Sequence, residues 1–432
     1  MQQPPPGATA LALRRAGLAL RRHRRQIAVA QWLMVSIYLA LVITPVLLPL
    51  PQAGARMPDS FTLSVQFLLW GLWWPLVLLS VMLLGRAWCG LLCPEGTLTE
   101  WVSRRGLGQA IPSWLRWGGW PFCTFLIVTL CGQVSSIYTQ PWSALMILGG
   151  STTAAIAIGL LYGRGKRVWC RYLCPVSGVF GLLAKIAPVH FQVDRAAWDT
   201  APRGRRAGGT NPVECAPLID IRRMQSASDC NMCGRCAGER DAVQLALRSP
   251  HTEILSVAGS PALQPGERWS ARLLVFGMLG MAMGTFYWQA SPWHDALQRD
   301  ATLLAAYLIS VTLLVGGWLW LWLQSGARAS GLPWFRLAQI LIPVAGTSLL
   351  AGLSLLTTEQ LARHGVQSPW ADELRGGLIG FGALWSLWLA HRLGKPLPVL
   401  RRFWLRASIA AAIGLPSAAW WLQLSLGSLH GA

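Results

Sequence analysis

Apolar residues in this chain fall in long unbroken runs, without the spacing of a surface helix or the alternation of a half-buried strand. Nine runs are about long enough to cross a hydrocarbon layer as helices: Ile27 to Leu50, Val65 to Leu84, Pro121 to Ile137, Ala144 to Tyr162, Leu273 to Ala290, Thr302 to Gln324, Phe335 to Leu356, Leu374 to Leu393 and Phe403 to Leu424. A shorter run, Val176 to Ala187, reads as a helix lying at the membrane surface. The pattern predicts an all-α polytopic membrane protein of about nine transmembrane helices. It divides into a basic cytoplasmic tail at 1–26, a four-helix membrane core at 27–187, a polar cytoplasmic insert at 188–270 and a five-helix membrane domain at 271–432.

Composition agrees, with 53% hydrophobic residues, 12% charged residues and 25 tryptophans, and it excludes an ordinary soluble enzyme. Trp288, Trp293, Trp334, Trp370, Trp404, Trp420 and Trp421 stand near run ends, as an interfacial belt requires. The net charge of +20 sits at the ends of apolar runs. No nucleic-acid-reading motif accompanies it, so nucleic acid is not an expected partner.

The charge does fix an orientation. Residues 51–63 carry Arg56 alone and 138–143 carry no Lys or Arg, whereas Arg86, Arg104, Arg105 and Arg116, and then Arg164, Lys166, Arg167 and Arg171, fill the alternate loops. Basic loops stay inside. The amino terminus is therefore expected in the cytoplasm and the carboxyl terminus outside, in a bacterial inner membrane. Arg14, Arg15, Arg21, Arg22, Arg24 and Arg25 read as a solvated topology signal ahead of an uncleaved first span.

Eight of the ten cysteines fall in short spacings that point to metal or cluster ligation in a chain this large. Cys123 and Cys131, inside an apolar run, read as small buried hydrophobes. The sequence Arg-x-Trp-Cys-x-x-Leu-Cys-Pro occurs twice, at Arg86–Pro94 and Arg167–Pro175, each time after an apolar run. The first four spans thus form a two-helix repeat whose loops face each other on the cytoplasmic side. Pro94 and Pro175 are expected at the first position of the following helices. Cys89, Cys93, Cys170 and Cys174 have three readings: a shared 4Fe-4S cluster, a pair of dithiols, or a structural role. Arg86, Arg167 and Arg171 either add positive charge near a cluster or serve topology.

In the insert, Cys230-Asn231-Met232-Cys233-Gly234-Arg235-Cys236 has the spacing of three bacterial ferredoxin ligands, and Cys215, followed by Ala216-Pro217, is placed to be the fourth. The positions that would hold a second ferredoxin cluster are Arg205, Gly208, Asn211 and Arg240. One 4Fe-4S cluster on Cys215, Cys230, Cys233 and Cys236 is the expectation, with tetrahedral zinc the alternative. His190, His251, His294, His364 and His391 lie in loops or at run ends, so no haem is expected.

With its doubled Trp-Cys-x-x-x-Cys-Pro loops followed by a ferredoxin-like insert, the chain resembles the NapH/NosR/CcoG-type membrane polyferredoxins over about residues 27–270. The resemblance implies two 4Fe-4S clusters. It also implies electron transfer between a cytosolic or quinone-pool donor and a membrane or periplasmic redox partner, with quinone as a further candidate cofactor. By this carry-over Cys89, Cys93, Cys170 and Cys174 are the paired-loop residues and Cys215, Cys230, Cys233 and Cys236 the ferredoxin-type ligands. No catalytic residue is called, and the chain reads as an electron-transfer component. The alternative implied by CcoG-like members is metal handling for oxidase assembly, such as cupric reduction. Transport by the last five spans ranks below both.

Overall fold

The structure is a computed structural model, and it describes residues 8–49, 60–201, 213–224, 226–259, 266–289, 291, 294–363, 365–366 and 368–430. It is helical almost throughout. Seven helices are long and apolar enough to cross a membrane: Arg24–Leu47, Phe61–Leu84, Pro141–Tyr162, Glu267–Gln289, Ala301–Ser330, Trp334–Ala362 and Val399–Leu424. The other two expected spans differ in kind. Trp120–Val134 is apolar but only 15 residues long, and Ala371–Gly394 has 24 residues but carries Asp372, Glu373, Arg375, His391 and Arg392.

The chain divides into two compact units. One comprises residues 1–40, 80–117 and 150–252; the other comprises 41–79, 118–149 and 253–432.

In the first unit, the helix Pro94–Ser103 packs on Gly150–Tyr162, and the short helices Ala87–Leu91 and Val168–Tyr172 carry the first cysteine of each repeat. The insert is built on two antiparallel strands, β1 (Val189–Val193) and β2 (Val243–Leu247), in the register Val189 to Leu247 and Val193 to Val243. Its small core of Phe191, Ile221, Met232, Val243 and Leu245 includes Cys230 itself. With so little apolar area to bury, it relies on help from the chain's beginning.

That help comes from the helix Ala8–Arg22. Residues 8–22 were expected as a solvated tail, but Leu13, Gly17 and Leu20 recur at one-turn spacing and turn a small apolar face toward β2. A methyl group on Gly17 would stand 3.2 Å from Leu245 Cβ. Arg21 donates to the Ala237 carbonyl at 2.9 Å, and Arg14 pairs with Asp241.

The short helix Ser177–Leu183 and the turn Ala184–Ile186 are covered by protein. Arg248 donates to the Ala184, Lys185 and Ala187 carbonyls at the end of this segment, satisfying groups that a helix terminus leaves open.

In the second unit, Ala301–Ser330 packs along Val399–His430, and Trp334–Ala362 packs along Ala371–Gly394. Trp420 is fully buried beside Phe286 and Tyr287. Wide π-type turns at Phe67–Trp73, Leu145–Gly149 and Leu273–Ala282 interrupt three helices. Such turns release carbonyls from the regular ladder, and Thr357 Oγ1 donates to that of Gly71 at 2.7 Å. The unit also buries one charged pair, Arg336 with Glu267, and pairs a buried Arg375 with the half-exposed Asp372. Cys131, expected inside, is exposed, and Cys123 is half-buried, on a helix Trp120–Val134 that buries only Gly132 and Gln133 fully.

Candidate iron-sulfur site

Each repeat loop ends a short helix and turns the chain sharply at its second cysteine. Cys93 is the N-cap of Pro94–Ser103, and its Sγ accepts the Gly96 N–H at 3.4 Å. Pro94 occupies the first helical turn, where its missing N–H costs nothing. In the second copy the helix begins two residues past Pro175, at Ser177. Ser177 bonds the Cys174 carbonyl with both its N–H (3.1 Å) and its Oγ (2.9 Å), so a turn replaces the first helical residues.

The two loops meet. Arg167 of the second copy donates to the Cys89 carbonyl of the first at 2.6 Å, and Trp169 Nε1 donates to Glu95 at 3.2 Å. The four thiols face one another as a set. Burial pushes the Cys174 thiol up, and Glu95, Cys170, Cys93 and Cys89 push the same way. Burial likewise raises Cys93, with Cys89 and Cys170 beside it, and lifts Cys170 to about 12 despite Arg167.

The insert cysteines form a second set. The loop Cys230–Cys236 passes through left-handed backbone at Met232 (φ 53°) and Gly234 (φ 70°), curling around its own sulfurs. The Met232 N–H reaches Cys230 Sγ at 3.4 Å. Burial raises Cys230, reinforced by Cys236, Cys233 and Cys215, and it lifts Cys236 to about 12 with Cys233 and Cys215 behind it. Cys215 is raised by burial as well, with Cys233 its near thiol.

The two sets adjoin at one place. A Cβ on Gly90 would lie 1.9 Å from the Asn231 carbonyl oxygen and 2.8 Å from the Cys233 nitrogen, so only glycine lets the first repeat loop lie against the ferredoxin-like loop. Three of the repeat's own arginines hold the insert there. Arg86 donates to the Ser228 carbonyl at 2.8 Å, Arg171 pairs with Asp229 at 2.6 Å, and the Arg167 N–H donates to the Ala216 carbonyl at 2.7 Å. Burial pulls the Arg86 guanidinium down, but Cys89, Cys174 and Cys170 outweigh it and hold it above its ordinary value.

Glu100, which carried no signal in the sequence, is the hub. Only 4% exposed, it accepts from Arg167 Nε at 2.7 Å and from Arg235 of the ferredoxin-like loop. Burial favours its neutral form, yet Arg167 and then Arg235 hold it down to about 2.

These sets fit iron-sulfur clusters. All eight candidate donors are sulfur, and buried thiols crowded by other thiols stay protonated unless a cationic core compensates them. Asn231 is 3% exposed, and neither polar atom of its amide finds a partner among the described residues; an acceptor sulfur would satisfy the amide nitrogen. Among the described residues no three His, Cys, Asp or Glu side chains are grouped to hold a single metal ion. A four-iron core asks less convergence of its thiolates, since each binds a different iron.

Comparison with known proteins points the same way. The 4Fe-4S binding domain family matches residues 66–118 and 145–193, the segments that carry Cys89, Cys93, Cys170 and Cys174. Over 246 residues the chain is 26% identical to YccM of Escherichia coli, a protein named for electron transport; this covers 50% of the chain and 66% of YccM. It is 28% identical over 156 residues to the methylamine utilization ferredoxin-type protein MauN of Paracoccus denitrificans, covering 32% of the chain and 51% of the relative. For MauN of Methylorubrum extorquens the identity is 28% over 151 residues, covering 32% and 49%. The chain thus spans just under two thirds of YccM and about half of each MauN. No solved structure matches it.

Proposed function

We propose, from the premise that the chain is a membrane-type ferredoxin, that it relays single electrons between a donor at the cytoplasmic face and a redox partner in or across the membrane. Cys89, Cys93, Cys170 and Cys174 would hold one 4Fe-4S cluster, and Cys215, Cys230, Cys233 and Cys236 the other. When bound, each supplies a site that accepts and releases one electron.

The observation that carries this reading is the contact of the two loops at Gly90 and Asn231, because electron exchange between buried centres depends on close approach. The chain's residues do the rest. Arg86, Arg167 and Arg171 lock the insert to the repeat loops, and one cysteine of each set, Cys174 and Cys230, is buried from water. The Gly96 and Met232 N–H groups direct hydrogen bonds at Cys93 and Cys230, favouring the thiolate form.

The assignment is tested by electron paramagnetic resonance on anaerobically purified, reduced protein. Cys230→Ser removes one of two cluster signals and leaves the other. Retention of both would withdraw Cys230 as a ligand, and loss of both would mean the eight sulfurs do not act as two independent sets.

A further inference from the structure

The buried carboxylate of Glu100 belongs to neither cysteine set, yet its partners come from both. Arg167 belongs to the second repeat loop and also donates to the Cys89 carbonyl of the first. Its guanidinium faces one thiol of each set, Cys170 and Cys233. Arg235 lies between Cys233 and Cys236. Arg104 reaches Glu100 from an exposed position at 3.5 Å, and Arg24 faces both Glu100 and Cys233. Arg167 is 2% exposed, so solvent screens little of this charge.

A structural ion pair would satisfy these hydrogen bonds anywhere; this one stands where the two sulfur sets adjoin. We propose that Glu100, Arg167 and Arg235 form a shared charge element that sets the reduction potentials of both cluster sites together, with Glu100 as its positioning residue. The inference rests on the two-cluster reading above. Adding an electron makes a cluster more negative, so the two guanidiniums favour the reduced state at both sites and the carboxylate moderates them. Without the carboxylate both sites become easier to reduce, and without Arg235 both become harder, the insert site more so.

The test is a redox titration of the full-length, cluster-loaded protein followed by electron paramagnetic resonance. Glu100→Gln should raise both midpoint potentials, Arg235→Gln should lower both, and Glu100→Asp, which keeps the charge, should return both toward wild type. Movement of one signal alone, movement of neither, or shifts of the same sign in Glu100→Gln and Arg235→Gln would overturn the proposal. Should Glu100→Gln fail to retain clusters, the pair Arg235→Gln and Arg235→Lys decides. A common downward shift in the first that is reversed in the second supports the shared element, and no common shift overturns it. Wild-type protein with fewer than two signals would instead defeat the two-cluster reading, so the two failures are told apart.

Discussion

Gly90 and Arg171 occupy the same position in the two copies of the repeated motif, and their neighbours explain the difference. Gly90→Ala drives a methyl into backbone atoms of Asn231 and Cys233, which cannot swing away as a side-chain tip would. It should cost at least about 1–3 kcal/mol and weaken the insert cluster signal. Arg171→Ala gives up a pair with the half-exposed Asp229 and should cost less than about 1 kcal/mol. Thermal unfolding of both variants in detergent orders them, and equal losses would mean the loops do not depend on that approach. Glu100 adds a pH dependence. Its folded-state value is depressed to about 2, so its stabilisation is present above the ordinary carboxylate range and is lost as pH falls through that range toward 2. The stability gap between wild type and Glu100→Gln should hold from pH 7 to 5 and narrow below about 4.5; a gap that widens with acid contradicts the pairing. Spacing made the cysteines legible as candidate ligands. Glu100 was not, because the two arginines that hydrogen-bond it lie 67 and 135 residues away, and its i,i+4 neighbour Arg104 reads only as an ordinary surface pair on a helix.

Among the elements, the helix Ala8–Arg22 shows how a run of arginines can hide a docking face. Its basic side chains set the sequence reading as a tail, while Leu13, Gly17 and Leu20 supply a stripe narrow enough to escape notice. Gly17→Val should overpack against Leu245 at a cost of about 1–3 kcal/mol. The measurable consequence is faster hydrogen exchange across β2 and earlier proteolysis of the insert, and unchanged exchange would mean the helix does not brace the sheet. The repeat loops were legible as pairs because Pro and Cys recur in step. The later helix start after Pro175 was not, since it depends on Ser177 bonding the Cys174 carbonyl. The long spans were read from length and hydropathy alone. Trp120–Val134 and Ala371–Gly394 depart from that expectation by shortness and by charge.

Over the whole molecule, basic residues and cysteine sets keep company. The unit of residues 1–40, 80–117 and 150–252 holds 24 of the chain's 37 Lys and Arg, and retention of basic loops predicts that its cysteine loops face the cytoplasm. Alkaline phosphatase fused after residue 60 should be active and the same reporter after residue 210 inactive; the opposite result would reverse the orientation. The most direct test of the central claim, that eight sulfurs hold two clusters, is the iron and acid-labile sulfide content of the intact protein purified without oxygen. Two clusters predict about eight irons and about eight sulfides per chain. Stoichiometric zinc with no labile sulfide would contradict the account outright.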